Sequence, residues 1–220
     1  YCNYGRIERW IPDFTDKSTE ASHLNRYLLA SQYTKGKSVL DIACGSGRGS
    51  YILATKGEAD SVTGIDIDTD ALRYANHRHK HDRIRFESGD ATRYLRKGGY
   101  DVIVSFETVE HLDNFADYFT NLSDSLKFGG LFFISTPISE HELDTSPKNE
   151  YHVREWGIET FQKEVEKYLI IEEKYLQLYP RINNSFFGRL KRIIKRVLTG
   201  KDNQVVYISN LQKYDDAMRS

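Results

Sequence analysis

The stretch F-E-T-V-E-H-L (Phe106 to Leu112) sets two carboxylates and an imidazole three and four residues apart. A helix begun here would carry Glu107, Glu110 and His111 on one face. Converging oxygen and nitrogen donors could hold a divalent cation. Carboxylate-rich ligation suits Mg²⁺ or Mn²⁺, and the imidazole tilts the choice toward Mn²⁺ or a later metal. Without a cation His111 could act as a base, because an unperturbed imidazole titrates at about pH 6.5. The polar stretch after Pro137 adds His141, Glu142, Glu150 and His152, and His152 is the fourth candidate ligand or a second candidate base. Acidic residues also favour a helix amino end through the helix dipole, which accounts for one Glu better than for the whole set. The other histidine-rich tract, H-R-H-K-H (His77 to His81), has Arg78 and Lys80 interleaved, which argues for solvated turn residues rather than a metal site.

A second group of residues has nucleotide-binding character. S-V-L-D-I-A-C-G-S-G-R-G-S (Ser38 to Ser50) ends an apolar run in glycines, where backbone passes close to a ligand and a side chain would obstruct it. Nineteen residues after Gly47, G-I-D-I-D (Gly64 to Asp68) carries Asp66, from which a carboxylate can accept hydrogen bonds from both hydroxyls of an adenosine ribose. The pairing points to an adenosine-containing cofactor, although glycine spacing alone does not say which. Two details favour S-adenosylmethionine over a dinucleotide. Ser50 stands where the dinucleotide fingerprint has its last Gly or Ala, so the helix amino end is less suited to a pyrophosphate. Asp41, just before the turn, would repel phosphates, yet through neighbouring donors or water it can help hold the cationic amino-acid portion of S-adenosylmethionine. S-G-D-A (Ser88 to Ala91) adds Asp90, which can accept from an adenine amino group.

These residues need elements to position them, and the pattern supplies them. Glu20 to Tyr33 places Leu24, Tyr27, Leu28 and Ser31 on one helical stripe. Short apolar runs at Ser38 to Ile42, Asp60 to Ile65, Arg83 to Glu87, Tyr100 to Phe106 and Leu131 to Thr136 read as strands, the last halted by Pro137. Ser50 to Thr55, Asp68 to His77 and Ile158 to Tyr168 read as helices, with a polar loop from Pro137 to about Trp156. Leu169 to Leu178 and Gln204 to Ser209 complete the strands. Alternation of this kind predicts an α/β fold with a doubly wound, mostly parallel seven-stranded sheet.

With the motifs in that order, the chain resembles the class I S-adenosylmethionine-dependent methyltransferases from about Ser38 to Leu211. D-I-A-C-G-S-G is similar to the family's first motif, with Ala43 where the family often has Gly. G-I-D-I-D resembles its ribose-binding strand end, G-D-A its adenine-side strand end, and Y-D-V-I-V-S-F-E with L-K-F-G-G-L-F-F-I-S-T-P its fourth and fifth strands. The resemblance implies a Rossmann-like sheet with an antiparallel last strand. It also implies Asp66 as ribose ligand, Asp90 and Ala91 beside adenine, and Phe106 beside the methionine end, within a cofactor set of Asp41, Ala43, Gly45, Gly47, Asp66, Ile67, Asp90, Ala91 and Phe106. The E-x-x-E-H stretch with a downstream His resembles two cation-using subfamilies, the small-RNA 3′-terminal ribose 2′-O-methyltransferases and the polyprenyl-catechol O-methyltransferases of ubiquinone biosynthesis. That likeness implies Glu107, Glu110, His111 and His152 as ligands to Mg²⁺ or Mn²⁺, with His111, His152 and Glu107 as the catalytic set.

Composition bounds the acceptor. Lys and Arg number 31 against 32 Asp and Glu, a net charge of -1, which disfavours a nucleic-acid partner without eliminating it. No run nears the ~18 apolar residues of a membrane span, the first ten residues show no export signal, and two cysteines suggest no disulfide framework. A cytoplasmic setting is expected. The chain has no repeat or linker, so 1–220 reads as one domain, with 1–35 as a cap segment and 180–203 as a basic helical insert. Within that insert, 185–201 reads as a basic amphipathic helix, which either docks on the core with a solvated basic rim or is drawn to an anionic membrane or a phosphorylated acceptor. On the cap, Arg26 or Tyr27 could meet the methionine carboxylate, with His23 on the same helix. The expected reaction is O-methylation of a small-molecule hydroxyl, with a sugar or glycan preferred over RNA, a quinone or an amine. A non-catalytic cofactor-binding scaffold or a nicotinamide-dependent oxidoreductase is the different-class alternative.

Overall fold

The computed structural model describes residues 17–178 and 203–210. In chain order the elements are α1 (Lys17–Ser31), β1 (Ser38–Ile42), α2 (Arg48–Thr55), β2 (Ser61–Asp66), α3 (Thr69–Arg78), β3 (Ile84–Ser88), β4 (Tyr100–Phe106), α4 (Phe115–Ser125), β5 (Leu126–Ile138), β6 (Leu143–Asp144), β7 (Glu155–Trp156), α5 (Ile158–Val165), β8 (Ile170–Leu178) and β9 (Asn203–Asn210). Seven long strands lie in the order β3-β2-β1-β4-β5-β9-β8. The first five run parallel, and β9 inserts antiparallel to both β5 and β8. The fold is the expected doubly wound sheet with an antiparallel last strand.

β1, β4 and the middle of β5 are buried on both faces rather than alternately, because helices cover both sides of the sheet. Successive residues then point to opposite layers. Leu40, Ile42, Ile103, Phe132 and Ile134 join the α4 and α5 side with Phe119, Leu122 and Phe161. Val39, Val102, Val104 and Phe133 join the α1 and α2 side with Tyr27, Ala30 and Leu53. Each such fully buried aliphatic or aromatic side chain contributes roughly 1.5–3 kcal/mol. Strand order reverses between β1 and β4, so the crevice at their carboxyl ends is where such sheets take ligands.

Three elements depart from expectation. β5 begins at Leu126, which pairs with Tyr100 of β4, and continues through Pro137 to Ile138, because β9 pairs with it from Leu131 to Ile138 and β7 pairs at Ile138. The loop after β5 is not wholly irregular, since it folds back as the short pair β6 and β7. The buried stripe of α1 is Ser22, Arg26, Tyr27, Ala30 and Ser31, while Leu28 is exposed. α1 is turned to face polar partners: Arg26 Nη1 donates to Gln177 Oε1 (2.7 Å) and Tyr27 Oη to Asp41 Oδ1 (2.9 Å).

At the amino edge, Asp101 Oδ2 staples three strands. It accepts from Ser38 N (2.8 Å), Ser38 Oγ (2.6 Å) and Lys127 Nζ (2.9 Å). The basic 185–201 segment and the first sixteen residues lie outside the described residues. No described helix is long and apolar enough to cross a membrane.

Candidate active site

β1 runs into the turn Ala43–Gly47, where Ala43 (φ 56), Gly45 (φ 54) and Gly47 (φ 75) are all left-handed. That conformation explains why Gly is favoured at such positions, and Ala43 adopts it at a cost of about 1–2 kcal/mol. Asp66, buried at the end of β2, ties the turn down: Oδ2 accepts from Gly45 N (2.7 Å) and Oδ1 from Asp68 N (2.9 Å). The glycines divide by role. A Cβ on Gly45 would meet nothing within 4 Å, whereas one on Gly47 would strike Phe86 and Ala75, and one on Gly49 the Tyr27 ring. Of these three, Gly45 alone borders open space; Gly47 and Gly49 are small for internal packing.

Asp41 is fully buried rather than presented at the crevice. Tyr27 Oη donates to its Oδ1 (2.9 Å) and Ser50 Oγ to its Oδ2 (2.6 Å), so it binds α1 and α2 to β1. Burial pushes its carboxyl up to about 7 against these two hydrogen bonds, and the nearby Asp66 charge adds to the rise. Phe106 ends β4 with the Tyr27 ring packed edge-on at 5.0 Å and the Arg26 guanidinium at 5.9 Å from its centroid. On the other flank Ile67 is 73% exposed, and Gly89 N donates to Asp66 O (3.0 Å), which brings Asp90 and Ala91 to the same edge. Asp90 Oδ1 accepts from Thr92 N (2.8 Å) and Oγ1 (2.7 Å), which hold its carboxyl below the usual range.

After β4 the expected α-helix does not form. Glu107 is left-handed (φ 54), with its N–H donated to Ser135 O (3.1 Å), and only a 3-10 turn, Val109–His111, follows. The loop after β5 docks on that turn: Val153 N donates to Glu110 O (2.8 Å), Arg154 Nη2 to Asp113 O (3.2 Å), and the Arg154 guanidinium lies 4.7 Å from the Phe115 ring centroid. His152 thereby reaches His111, with ring centroids 4.8 Å apart. Ligand atoms of Glu110, His111 and His152 all lie within 4.8 Å of one another. Glu107 does not join this group; its Oε1 accepts from Ser135 Oγ (2.6 Å). Among the described residues His141, Glu142 and Glu150 do not join it either, and each is exposed.

Glu110 is fully buried. Thr136 Oγ1 donates to its Oε2 (3.1 Å), and Oε1 has no hydrogen-bond partner. Burial, then the Glu107 charge, drives its carboxyl well above the usual range. His111 Nδ1 lies 2.8 Å from Tyr151 O, an acceptor only, so Nδ1 carries the proton and Nε2 is the basic nitrogen. Residues that sequence reasoning missed are Thr136, Ser135, Asn149 and Glu155. Their signal was weak because their partners come from strand pairing and loop docking. The His77–His81 tract also differs from expectation: His79 is buried against Tyr51 and Tyr74, and burial, with Arg78 and Arg48 nearby, pushes it down to about 4.

A family described as a methyltransferase domain matches residues 33–184. The chain belongs to that family. The cofactor of these methyltransferases is S-adenosylmethionine. A fatty-acid O-methyltransferase of Mycolicibacterium smegmatis is 27% identical, covering 71% of this chain and 56% of that protein. A probable S-adenosylmethionine-dependent methyltransferase of the same organism is 30% identical, covering 67% and 58%. The chain thus spans little more than half the length of these curated relatives. The solved complex between the Haloferax volcanii Trm112 methyltransferase activator and the putative methyltransferase matches the fold with a TM-score of 0.71 at 17% identity, covering 89% of this chain and 92% of that one.

The methyltransferase crevice fits the cofactor. Open space at Gly45 admits a ligand against bare backbone, and each Asp66 oxygen retains a second acceptor site beyond the bond it already makes.

Proposed function

We propose that the protein transfers a methyl group from S-adenosylmethionine to a hydroxyl oxygen, with a sugar or glycan as acceptor and Mg²⁺ or Mn²⁺ in the acceptor site. The observation that carries this reading is buried Glu110, with its Oε1 partnerless, converging with His111 and His152 one strand away from the Gly45 turn. The cofactor supplies an electrophilic methyl on a sulfonium. Asp66 accepts from the ribose hydroxyls, Asp90 Oδ2 from the adenine amino group, and Ile67 and Phe106 bound the adenine and methionine ends.

Methyl transfer is an in-line displacement, so the chain's main task is alignment. A sugar hydroxyl is a weak nucleophile near neutral pH and must give up its proton. Glu110 Oε1 and the imidazole nitrogens of His111 and His152 would hold the cation, whose chemistry is to lower the proton affinity of a bound hydroxyl. Vicinal hydroxyls suit such a site because both can approach one ion. Without a cation, His111 or His152 accepts that proton.

A second reading takes a carboxylate oxygen as acceptor, favoured by the likeness to the fatty-acid O-methyltransferase. A carboxylate arrives already deprotonated, so it needs neither cation nor base. That difference separates the two.

Calorimetric titration with S-adenosylhomocysteine tests the cofactor half. Asp66→Ala removes two hydrogen bonds to a charged acceptor, each worth about 1.5–3 kcal/mol, and should weaken binding by 10²-fold or more. Affinity within three-fold of wild type, for both Asp66→Ala and Asp66→Asn, would remove it. For the acceptor half, labelled methyl transfer to glycans should stop on chelation and return with Mn²⁺. Transfer to a fatty acid that survives chelation supports the second reading instead.

A further inference from the structure

We propose that Glu155 is a positioning residue that sets the tautomer and orientation of His152; the inference rests on His152 belonging to the acceptor site. The argument is one of donors and acceptors. Asn149 Oδ1 accepts from Tyr151 N (3.1 Å), which fixes the way its amide points. Its Nδ2 therefore faces His152 Nε2, at 2.9 Å. An amide NH₂ only donates, so Nε2 must present a lone pair and the proton must sit on Nδ1. Glu155 Oε1 lies 2.6 Å from that Nδ1 and, as a carboxylate, accepts it. The two ends of the ring agree on one tautomer, with Nε2 basic.

Glu155 is well placed to impose this. It sits on β7, whose Asp144↔Glu155 pairing to β6 and Ile138↔Trp156 pairing to β5 hold its backbone. The next residue, Trp156, is buried with Phe115 at 5.7 Å and Phe161 at 5.4 Å between ring centroids. A carboxylate anchored to the sheet thus aims an imidazole that is itself carried on a loop. His111 is held in the same tautomer by the Tyr151 carbonyl, so both rings offer Nε2 as the basic nitrogen. Whether His152 holds an ion or takes a proton, its working atom is Nε2, and an outer carboxylate on Nδ1–H raises its basicity. Asn149 occupies that lone pair until acceptor or ion replaces it.

The test uses the full chain labelled with ¹⁵N-histidine, read by long-range proton–nitrogen correlation at pH 8. His152 should carry its proton on Nδ1. Glu155→Leu, which leaves Nδ1 without an acceptor, should weaken the preference for that tautomer so that the Nε2–H form appears, and lower kcat about 10- to 100-fold, with KM for S-adenosylmethionine within two-fold. Glu155→Asp keeps a carboxylate and should keep the Nδ1 proton and recover most of kcat. A proton on Nε2 in the wild type, or a Leu variant with unchanged tautomer and kcat within two-fold, overturns the proposal. Failure of the wild type to bind S-adenosylhomocysteine overturns the methyl-transfer reading instead, and the tautomer spectra still decide for or against Glu155.

Discussion

Carboxylates at the two edges of the sheet are treated in opposite ways. At the amino edge burial pushes Asp101 up, but hydrogen bonds from Ser38 and the Lys127 ammonium outweigh it and hold the carboxyl at about 2. At the carboxyl edge burial prevails for the two fully buried carboxylates: Asp41 rises to about 7, and Glu110 rises well above the usual range with one oxygen unpartnered, while the partly exposed Asp90 is held low by Thr92. Among the described residues, two of the three left-handed non-glycine positions, Ala43 and Glu107, flank the same edge. One end of the sheet has its charges neutralised by fixed donors. The other retains strain and unmet polarity, as binding sites do, because groups already satisfied by the protein have little to offer a ligand.

The comparison can be broken in three places. The largest expected effect is at Asp41. A folded pKa above the unfolded value near 3.8 means that stability is full below about pH 4 and is lost as pH rises through about 7. Asp41→Asn should therefore be more stable than wild type by roughly 2 kcal/mol at pH 8 and show no advantage at pH 4, read by urea unfolding. A loss of stability at pH 8 would mean that the Tyr27 and Ser50 bonds need the charge.

Asp101→Asn should act with the opposite sign. Its depressed pKa gives stability that is present above about pH 4 and lost as pH falls through 2. After discounting for a side chain 31% exposed, the variant should lose about 1–2 kcal/mol at pH 7 while S-adenosylhomocysteine affinity stays within two-fold. A change in affinity would show that the two edges are coupled. The smallest effect is at Ala43. Ala43→Gly should gain about 0.5–1 kcal/mol by relieving the left-handed backbone, less the extra freedom of the unfolded chain, and raise Tm by a few degrees. No gain would show that the turn is not strained.

Much of this was legible before any coordinates. β1 and β4 match their expected bounds, and Asp66 lies beside the Gly45 turn as the D-I-A-C-G-S-G and G-I-D-I-D motifs implied. Other expectations misjudged the cause. The motif's glycines at 47 and 49 read as room for ligand approach, yet their space is taken by Phe86, Ala75 and Tyr27, contacts that no local pattern announces. Glu107 at helical spacing from Glu110 suggested one shared face, but the Ser135 backbone and hydroxyl draw it into a left-handed kink and the helix shortens to one turn.

Sequence alone determined the strand and helix order, the turn at the end of the first strand and the residue types gathered at one edge. These follow from local preferences and from apolar periodicity over a few residues. Tertiary structure decided which carboxylates are buried, which hydroxyls satisfy Asp41, and that His111 meets the Tyr151 carbonyl forty residues away. Burial and hydrogen-bond partners set the protonation of a side chain, and both depend on segments distant in the chain being packed together.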